Sequence, residues 1–237
     1  MSRFTTKITA ADKSCHNMDD TTVAILGAGI GSRIKSYEPR SLIKIGAKTL
    51  LEHQISTISE CFEFPEIITV VGCRAESVIK KIRGNIRIVE NQLYETTNTS
   101  ESMRLAFNNS LKNNFLFIHG DLYFNVSTLK NVDYNKSFVI IDNNSMIGDK
   151  EVGLTVCDGA ATIFSYGLPT KWCQMAYVTG REFKILKNIF NKFDSTHKKM
   201  LSFEILNKMI SMGAVFKCYE PENMSILEID RIKDLNL

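Results

Sequence analysis

A glycine-rich segment that follows a short apolar run carries the clearest chemical signal of this chain. The apolar residues 23–26 lead into GAGIGSR at 27–33, and Arg40 follows Arg33 by seven residues. Glycine lets backbone N–H groups approach an anion with no Cβ in the way. Two guanidinium groups can neutralise and clamp phosphate oxygens. We therefore predict a nucleoside triphosphate site here, bound by Leu26, Gly27, Ala28, Gly29, Gly31, Ser32 and Arg33, with Arg33 and Arg40 as the catalytic cations.

Two other anion-binding motifs fail at the same position. A P-loop starting at Gly27 and a dinucleotide fingerprint both require glycine at residue 32, where this chain has Ser32. The P-loop also requires lysine at the position of Arg33. A dinucleotide site further needs an acidic residue after the next strand to bind the ribose, and none is found there. The segment is therefore neither a P-loop nor a typical dinucleotide-binding loop.

Composition limits the class of protein. The 237 residues are 44% hydrophobic and 23% charged, as in an ordinary soluble globular domain, and the net charge of +3 is too small to argue for nucleic acid. No apolar run is long enough for a membrane span. The six cysteines form no CxxC pair and are expected to be small buried residues in the cytoplasm. Residues 1–20 are polar and are expected to form a flexible extension to a domain at 21–237.

Alternating strands and helices must position the glycine-rich segment. Apolar runs predict strands at 23–26, 67–71, 86–89, 115–118 and 138–141, and helical spacing predicts helices at 48–62, 76–82 and 100–111. Asn98 is predicted as the N-cap of the third helix, with Glu101 completing a capping box. This alternation is typical of βαβ units and a mainly parallel sheet.

The second half of the chain has a different pattern. Residues 153–156 and 161–164 predict an antiparallel pair around the turn Asp158-Gly159. Helices are predicted at 181–193 and 202–212, the second ended by Gly213, and short strands at 215–219 and 226–229. The fold class is therefore α/β: a single domain with a mainly parallel mixed sheet flanked by helices and a small antiparallel C-terminal elaboration.

Several blocks of the chain together resemble one enzyme family. LGAGIGSR at 26–33 with PRSL at 39–42 resembles the signature L-A-A-G-x-G-[ST]-R…P-K-[AP]-L of the nucleotidylyltransferases that activate small phosphates. Similar blocks follow in the same order at 45–53, 70–73, 91–102, 120–121 and 228–235. The resemblance implies a Rossmann-like, GT-A-like domain. It also implies attack of an acceptor phosphate on the α-phosphorus of a nucleoside triphosphate, with pyrophosphate leaving.

The same resemblance implies a metal and its ligands. Mg²⁺ would offset the charge of the triphosphate, and Asp121 and Asp230 fall on the aspartates of the family pattern, each after an apolar strand. An Asx-turn at Asp121 and a helix N-cap at Asp230 are the structural alternatives. Asp142, at the end of another strand, is a weaker candidate. His53 and His119 are expected to be structural.

Further residues are assigned by their place in the family pattern. Gly72, Asn98 and Ser102 are expected on the nucleotide side, although the capping role is an equal alternative for Asn98. Trp172, Tyr177 and Glu228 are expected to bind the acceptor, since aromatic faces suit the quaternary ammonium group of phosphocholine. A core role is the alternative for Trp172, and Lys171 could instead bind an anionic acceptor.

Two departures from the family pattern keep other functions open. Arg40 stands where lysine is usual and Gly27 where alanine is usual. The pattern favours transfer of CMP from CTP to a phosphocholine-like acceptor, over a sugar-1-phosphate nucleotidylyltransferase or a nucleotide-binding regulatory protein without turnover. A glycosyltransferase is disfavoured because the chain has no D-x-D motif, and Ser32 disfavours an oxidoreductase. Many members of the family are dimers, so a homodimer is one expectation.

Overall fold

Nine strands form one mixed sheet at the centre of the computed structural model, which describes residues 18–29 and 39–229. In chain order, the strands of these ranges are β1 Thr21–Leu26, β2 Lys44–Ile45, β3 Lys48–Thr49, β4 Glu66–Val71, β5 Ile86–Glu90, β6 Asn114–His119, β7 Leu122–Phe124, β8 Phe138–Asp142, β9 Val152–Cys157, β10 Ala160–Tyr166, β11 Thr170–Val178, β12 Lys217–Tyr219 and β13 Ile226–Glu228. The helices are α1 Leu50–Cys61, α2 Ala75–Lys81, α3 Thr99–Asn108, α4 Gly180–Asn191 and α5 Ser202–Ser211, with 3₁₀ turns at Arg40–Leu42, Val126–Thr128 and His197–Lys199.

The sheet order is β5-β4-β1-β6-β11-β8-β12-β10-β9. Strands β5, β4, β1 and β6 are parallel neighbours, and β12 is parallel to β8. Strand β11 is inserted antiparallel between β6 and β8, and β10 is antiparallel to both β12 and β9. The predicted α/β class, with a mainly parallel sheet and an antiparallel elaboration, is confirmed.

The central parallel strands β1, β4 and β6 are mostly apolar because both faces of the sheet are covered. In β1, Ala24 and Leu26 belong to one core cluster, whereas Val23 and Ile25 belong to the cluster on the other face. This alternation follows from the period of two residues in a strand. Within the described ranges, no helix combines the length and apolar character that crossing a bilayer requires.

Strand β11 was not predicted from the sequence. Its register with β8 shifts between Trp172 and Ala176, and Gln174 has the positive φ of +55° that marks an irregular position. The polar residues Lys171 and Gln174 also interrupt the apolar run. A bulge of this kind breaks the alternation from which a strand is recognised.

The predicted capping box at the start of α3 is wrong. Asn98 is the N-cap residue, but its side chain makes no cap hydrogen bond and instead donates from Nδ2 to the carbonyl of Lys199 at 3.2 Å. Glu101 is buried and accepts two hydrogen bonds of 2.8 Å from Arg104. A capping box does start α1, where Thr49 and Glu52 bond each other's backbone N–H groups.

Candidate active site

Two glycines bring the ends of β1 and β6 into backbone contact. Gly120 donates its N–H to the carbonyl of Leu26 at 3.0 Å, and a Cβ on Gly120 would lie 2.7 Å from the Cα of Gly27. Gly27 in turn donates to the carbonyl of Val70 at 2.9 Å. Parallel strands place their carboxyl ends at one edge of the sheet, where ligands of open α/β sheets bind. The first residues of the glycine-rich segment are therefore fixed at this edge.

Gly72, at the end of β4, is packed against the same segment. A Cβ there would lie 2.6 Å from the carbonyl oxygen of Ala28 and 2.8 Å from the Cβ of Tyr94, and Cys73 donates to the same carbonyl at 3.2 Å. Close packing thus accounts for glycine at 72, and the predicted contact with the nucleobase stays a prediction. By contrast, a Cβ on Gly29 would have no neighbour within 4 Å among the residues that the structure describes.

Arg40 and Asp121, which the sequence analysis placed in one site, are in direct contact. Nη1 of Arg40 lies 2.5 Å from Oδ2 of Asp121, with only 20% and 17% of the two side chains exposed. The other carboxylate oxygen, Oδ1, is buried and has no hydrogen-bond partner among the described residues. Asp121 therefore keeps one buried oxygen available for a further ligand.

The end of the described chain reaches the same turn. Ile229 donates its N–H to the carbonyl of Asp121 at 2.8 Å, directly after the antiparallel pairing of β13 with β7. The Ile229 side chain is fully buried in a small cluster with Ile43 and Leu50. Residues near Arg40, near Asp121 and just before Asp230 are thus held together. The predicted residues Gly31, Ser32, Arg33 and Asp230 lie outside the described ranges.

The sequence analysis missed Gln54, a buried residue of α1. Its Nε2 donates to the carbonyls of His119 at 3.0 Å and of Leu122 at 2.8 Å, on either side of Asp121. Its position in the sequence is the feature from which its role could have been predicted, because Gln54 is a polar residue on the buried face of α1, between Leu51 and Ile58.

A cavity of about 900 Å³ lies beside this turn. Its polar groups are partly paired with one another: Gln174 donates to the Glu228 carboxylate at 2.7 Å, and His119 Nε2 lies 2.8 Å from the hydroxyl of Ser202. The lining residues are His119, Gly148, Asp149, Lys150, Glu151, Val152, Tyr166, Trp172, Gln174, Leu201, Ser202, Phe203, Leu227 and Glu228. The bulge in β11 therefore directs Gln174 towards Glu228.

The two aromatic residues predicted for the acceptor differ in position. Trp172 borders the cavity but is only 2% exposed, and its Nε1 donates to the carbonyl of Met175 at 3.0 Å. Tyr177 is fully buried in the core cluster that does not contain Trp172, where its hydroxyl donates to the carbonyl of Tyr134. The expectation that Tyr177 lines the acceptor site is therefore corrected: alternation along β11 turns it to the other face of the sheet.

The remaining predicted residues have structural partners. Asn98 is exposed, Ser102 is buried and accepts from Nδ2 of Asn91 at 3.3 Å, and neither borders the cavity. Asp142 accepts the N–H groups of Asn144 and Ser145 in a turn. The described residues contain no cluster of three or more histidine, cysteine or acidic side chains that could hold a metal. A metal at Asp121 would thus need ligands from beyond those ranges or from substrate.

His119 and Lys171 differ in protonation. Burial lowers the pKa of His119, although the charge of Asp121 acts in the opposite direction, so the ring is neutral near pH 7. Burial also opposes the charge on Lys171, but the hydrogen bond and charge of Glu151, 2.6 Å away, raise the pKa of this lysine. The cavity wall therefore includes Glu151, which is paired with the charged Lys171, and the neutral imidazole of His119.

Residues 23–132, a little under half of the chain, match the family model described as a MobA-like NTP transferase domain. The matched part of the chain is thus similar to NTP transferase domains. Curated proteins similar to this chain include the bifunctional protein GlmU of Methanococcus maripaludis strain C5, 33% identical over 134 residues, and that of Francisella tularensis subsp. novicida, 33% identical over 102 residues. These alignments cover 54% and 43% of this chain but only 32% and 22% of the relatives.

Solved structures share the fold over nearly the whole chain. The inositol-1-phosphate CTP transferase from T. maritima has a TM-score of 0.75 at 17% identity, covering 92% of this chain and 91% of the neighbour. The CTP:phosphocholine cytidylyltransferase LicC from Streptococcus pneumoniae has a TM-score of 0.70 at 21% identity, covering 90% and 95%. At these identities the likeness establishes the Rossmann-like fold.

Proposed function

We propose that this chain transfers a nucleoside monophosphate, CMP from CTP, to a small phosphorylated acceptor such as phosphocholine, with Mg²⁺ as cofactor and pyrophosphate as the second product. The observation that carries the proposal is the contact of Arg40 with Asp121 at the edge where Gly27 and Gly120 meet. This edge combines a cation, a carboxylate with a buried oxygen that is available to a ligand, and a glycine-rich turn. Phosphoryl transfer requires these three features.

The reaction needs charge compensation more than proton transfer. An oxygen of the acceptor phosphate attacks the α-phosphorus, a new P–O bond forms, and the bond to the pyrophosphate oxygen breaks. The attacking oxygen is already anionic, so no general base is required. Arg40 would neutralise charge on the triphosphate and on the departing pyrophosphate, while the backbone at Gly27 and Gly29 sets how closely the phosphates approach.

The residues present fit a magnesium ion. Mg²⁺ prefers carboxylate oxygens and retains several waters, so it needs few protein ligands. Asp121 provides a buried oxygen without a partner among the described residues, and Ile229 leads directly from the Asp121 carbonyl to Asp230. Asp121 and Asp230 would hold the ion. When bound, it would supply positive charge to the α-phosphate and pyrophosphate oxygens.

A sugar or cyclitol phosphate is a second candidate acceptor, favoured by the lining of the cavity. Trp172 is almost completely buried and Tyr177 lies in the core, so these residues do not form an open aromatic cage for a quaternary ammonium group. Instead, Gln174, Glu228, Ser202 and His119 offer hydrogen-bonding groups that suit hydroxyls. The predicted cytoplasmic location and homodimer remain predictions.

A screen of nucleotides against acceptors tests the proposal. The protein is incubated with Mg²⁺, each of the four NTPs, and phosphocholine, a hexose 1-phosphate or inositol phosphate as the acceptor. Pyrophosphate release measures turnover, and mass spectrometry identifies the product. We expect release with CTP and one acceptor class. No release with any pair, together with measurable CTP binding, would instead support a regulatory nucleotide-binding protein.

A further inference from the structure

One face of α1 carries side-chain donors that bond every second backbone carbonyl of the segment after Asp121. Gln54 Nε2 donates to Leu122 at 2.8 Å, Thr57 Oγ1 to Phe124 at 3.4 Å, and Cys61 Sγ to Val126 at 3.6 Å. The donors are three and four residues apart, so they lie on one side of the helix. The acceptors are alternate residues, so their carbonyls point to the same side of the segment. Helix α1 therefore fixes β7 along its length.

Gln54 differs from the other two donors because it makes two such bonds. Its Nε2 also donates to the carbonyl of His119 at 3.0 Å, so both of its N–H groups are used on either side of Gly120 and Asp121. The side chain is 1% exposed, and its Oε1 is buried without a partner within the described ranges. The amide cannot turn over to satisfy this oxygen, because the oxygen would then face two carbonyl oxygens.

A buried unpaired amide oxygen lowers stability, so packing alone does not explain this residue. An apolar side chain of similar length would fill the space without that loss, but it would remove the side-chain hydrogen bonds to the carbonyls of His119 and Leu122. Those two carbonyls flank the turn whose other contacts are the Gly27–Gly120 packing and the Arg40–Asp121 ion pair. The second hydrogen bond of Gln54 therefore sets the width of the turn that presents the Asp121 carboxylate.

We propose that Gln54 is a positioning residue for Asp121: it bridges the two ends of the 119–122 turn and thereby holds the carboxylate where it binds the metal. This inference rests on the proposed function, in which Asp121 is a metal ligand. Gln54 itself touches neither metal nor substrate.

The test compares Gln54→Met with Thr57→Val, which removes a bond of the same helix one turn away from Asp121. Binding of Mn²⁺ is followed by the loss of the free-ion signal in electron paramagnetic resonance, and kcat and KM are measured for CTP and the acceptor found in the screen. We expect Gln54→Met to raise the Kd for Mn²⁺ by about tenfold or more and to lower kcat by about 10- to 100-fold. KM for CTP should change by less than about threefold if Arg40 and the glycine turn are intact. Thr57→Val should leave the Mn²⁺ Kd and kcat at their wild-type values.

A wild-type Mn²⁺ Kd and kcat in Gln54→Met would overturn the inference, because a purely structural residue would lower only the melting temperature. If Gln54→Met does not fold, Gln54→Asn, which keeps an amide but is too short to reach both carbonyls, is measured in the same way with the same expected losses. Asp121→Asn separates the two hypotheses. If it binds Mn²⁺ as wild type does, the proposed metal site is overturned and this inference with it. If Asp121→Asn does not bind Mn²⁺ but Gln54→Met binds it as the wild type does, the proposed metal site stands and only the role of Gln54 is contradicted.

Discussion

The Arg40 guanidinium and the Asp121 carboxylate form an ion pair of 2.5 Å in which both side chains are mostly buried. The cation that we propose for the triphosphate is thus bonded to the carboxylate that we propose for the metal. A triphosphate that draws Arg40 away from Asp121 would release a carboxylate oxygen for the ion. Binding of nucleotide and of metal would then each favour the other, because coupling between two ligands is reciprocal.

Replacing Arg40 should therefore separate two effects. In Arg40→Ala we expect turnover to fall by about 10²–10⁴-fold, because a cation that stabilises developing phosphate charge is lost. Without nucleotide, Mn²⁺ should bind the variant severalfold more tightly than the wild type, because nothing competes for Asp121. Calorimetric titration with Mn²⁺ and steady-state kinetics measure the two quantities.

The matched control for Arg40→Ala is Arg83→Ala. Arg83 is an exposed arginine whose guanidinium donates to the carbonyls of Lys80 and Ile82 in its own segment. It should change neither quantity. Weaker Mn²⁺ binding in Arg40→Ala than in wild type would contradict the competition between the two cations.

Neutralising Asp121 should abolish turnover while the fold persists. Asp121→Asn keeps the size of the side chain but removes the anionic ligand, and the turn is still held by the backbone bonds of Gly120 and Ile229. We expect no pyrophosphate release above background, a wild-type circular dichroism spectrum and no Mn²⁺ binding at this site. Wild-type activity in this variant would remove Asp121 from the mechanism.

Two glycine substitutions should distinguish packing from ligand contact. In Gly120→Ala the new Cβ would lie 2.7 Å from Gly27 Cα and 2.9 Å from the Leu26 oxygen, so the backbone itself must move. We expect a loss of about 2 kcal/mol or more in the free energy of unfolding, as for other overpacked positions. Around Gly29 no described residue lies within 4 Å of the new Cβ, so Gly29→Ala should unfold like the wild type, but its methyl group should weaken CTP binding if phosphates pack on that backbone.

Urea denaturation and CTP titration measure these two glycine variants. If Gly120→Ala is as stable as the wild type, the backbone at the ends of β1 and β6 can move apart at little cost in the free energy of unfolding. Unchanged CTP affinity in Gly29→Ala would mean that the triphosphate does not approach this part of the turn.

Cysteine chemistry should follow burial. Burial raises the pKa of Cys61 to about 11 and that of Cys173 to about 12, so both thiols are almost entirely neutral at pH 8. Cys157 is exposed. Because the thiolate is the reactive form, iodoacetamide at pH 8 should modify Cys157 before Cys61 and Cys173, which should stay unmodified until denaturant is added, as read by peptide mass spectrometry. Rapid modification of Cys173 in the folded protein would contradict its place in the core.

The sequence predicts those features that depend on local pattern. The apolar runs of β1, β4 and β6 and the glycines at their ends were recognised, and the turn at Asp158-Gly159 joins β9 and β10 as expected. In the second half, α4 and α5 lie within a residue or two of their predicted bounds. Each of these elements is specified by residues close together in the chain.

What the sequence could not give depends on distant partners. Asn98 fits a capping box locally, but in the folded protein its side chain donates to the carbonyl of Lys199, 101 residues further along the chain. The bulge at Gln174 disguises the central strand β11, and the role of Gln54 exists only because β7 returns beside α1. No periodicity encodes such contacts, since they arise from the packing of segments far apart in the chain.

The backbone contact between Gly27 and Gly120 has a consequence for how such an enzyme could be re-engineered. The strand ends assigned to phosphate chemistry meet through main-chain atoms at Gly27 and Gly120, whereas much of the cavity wall is formed by residues 148–152, 166 and 201–203, in other parts of the chain. Substitutions at Asp149, Lys150 or Tyr166 would therefore alter the choice of the molecule that is activated and leave the handling of its nucleotide donor intact. Selectivity and chemical power would thus be separately adjustable properties of this protein.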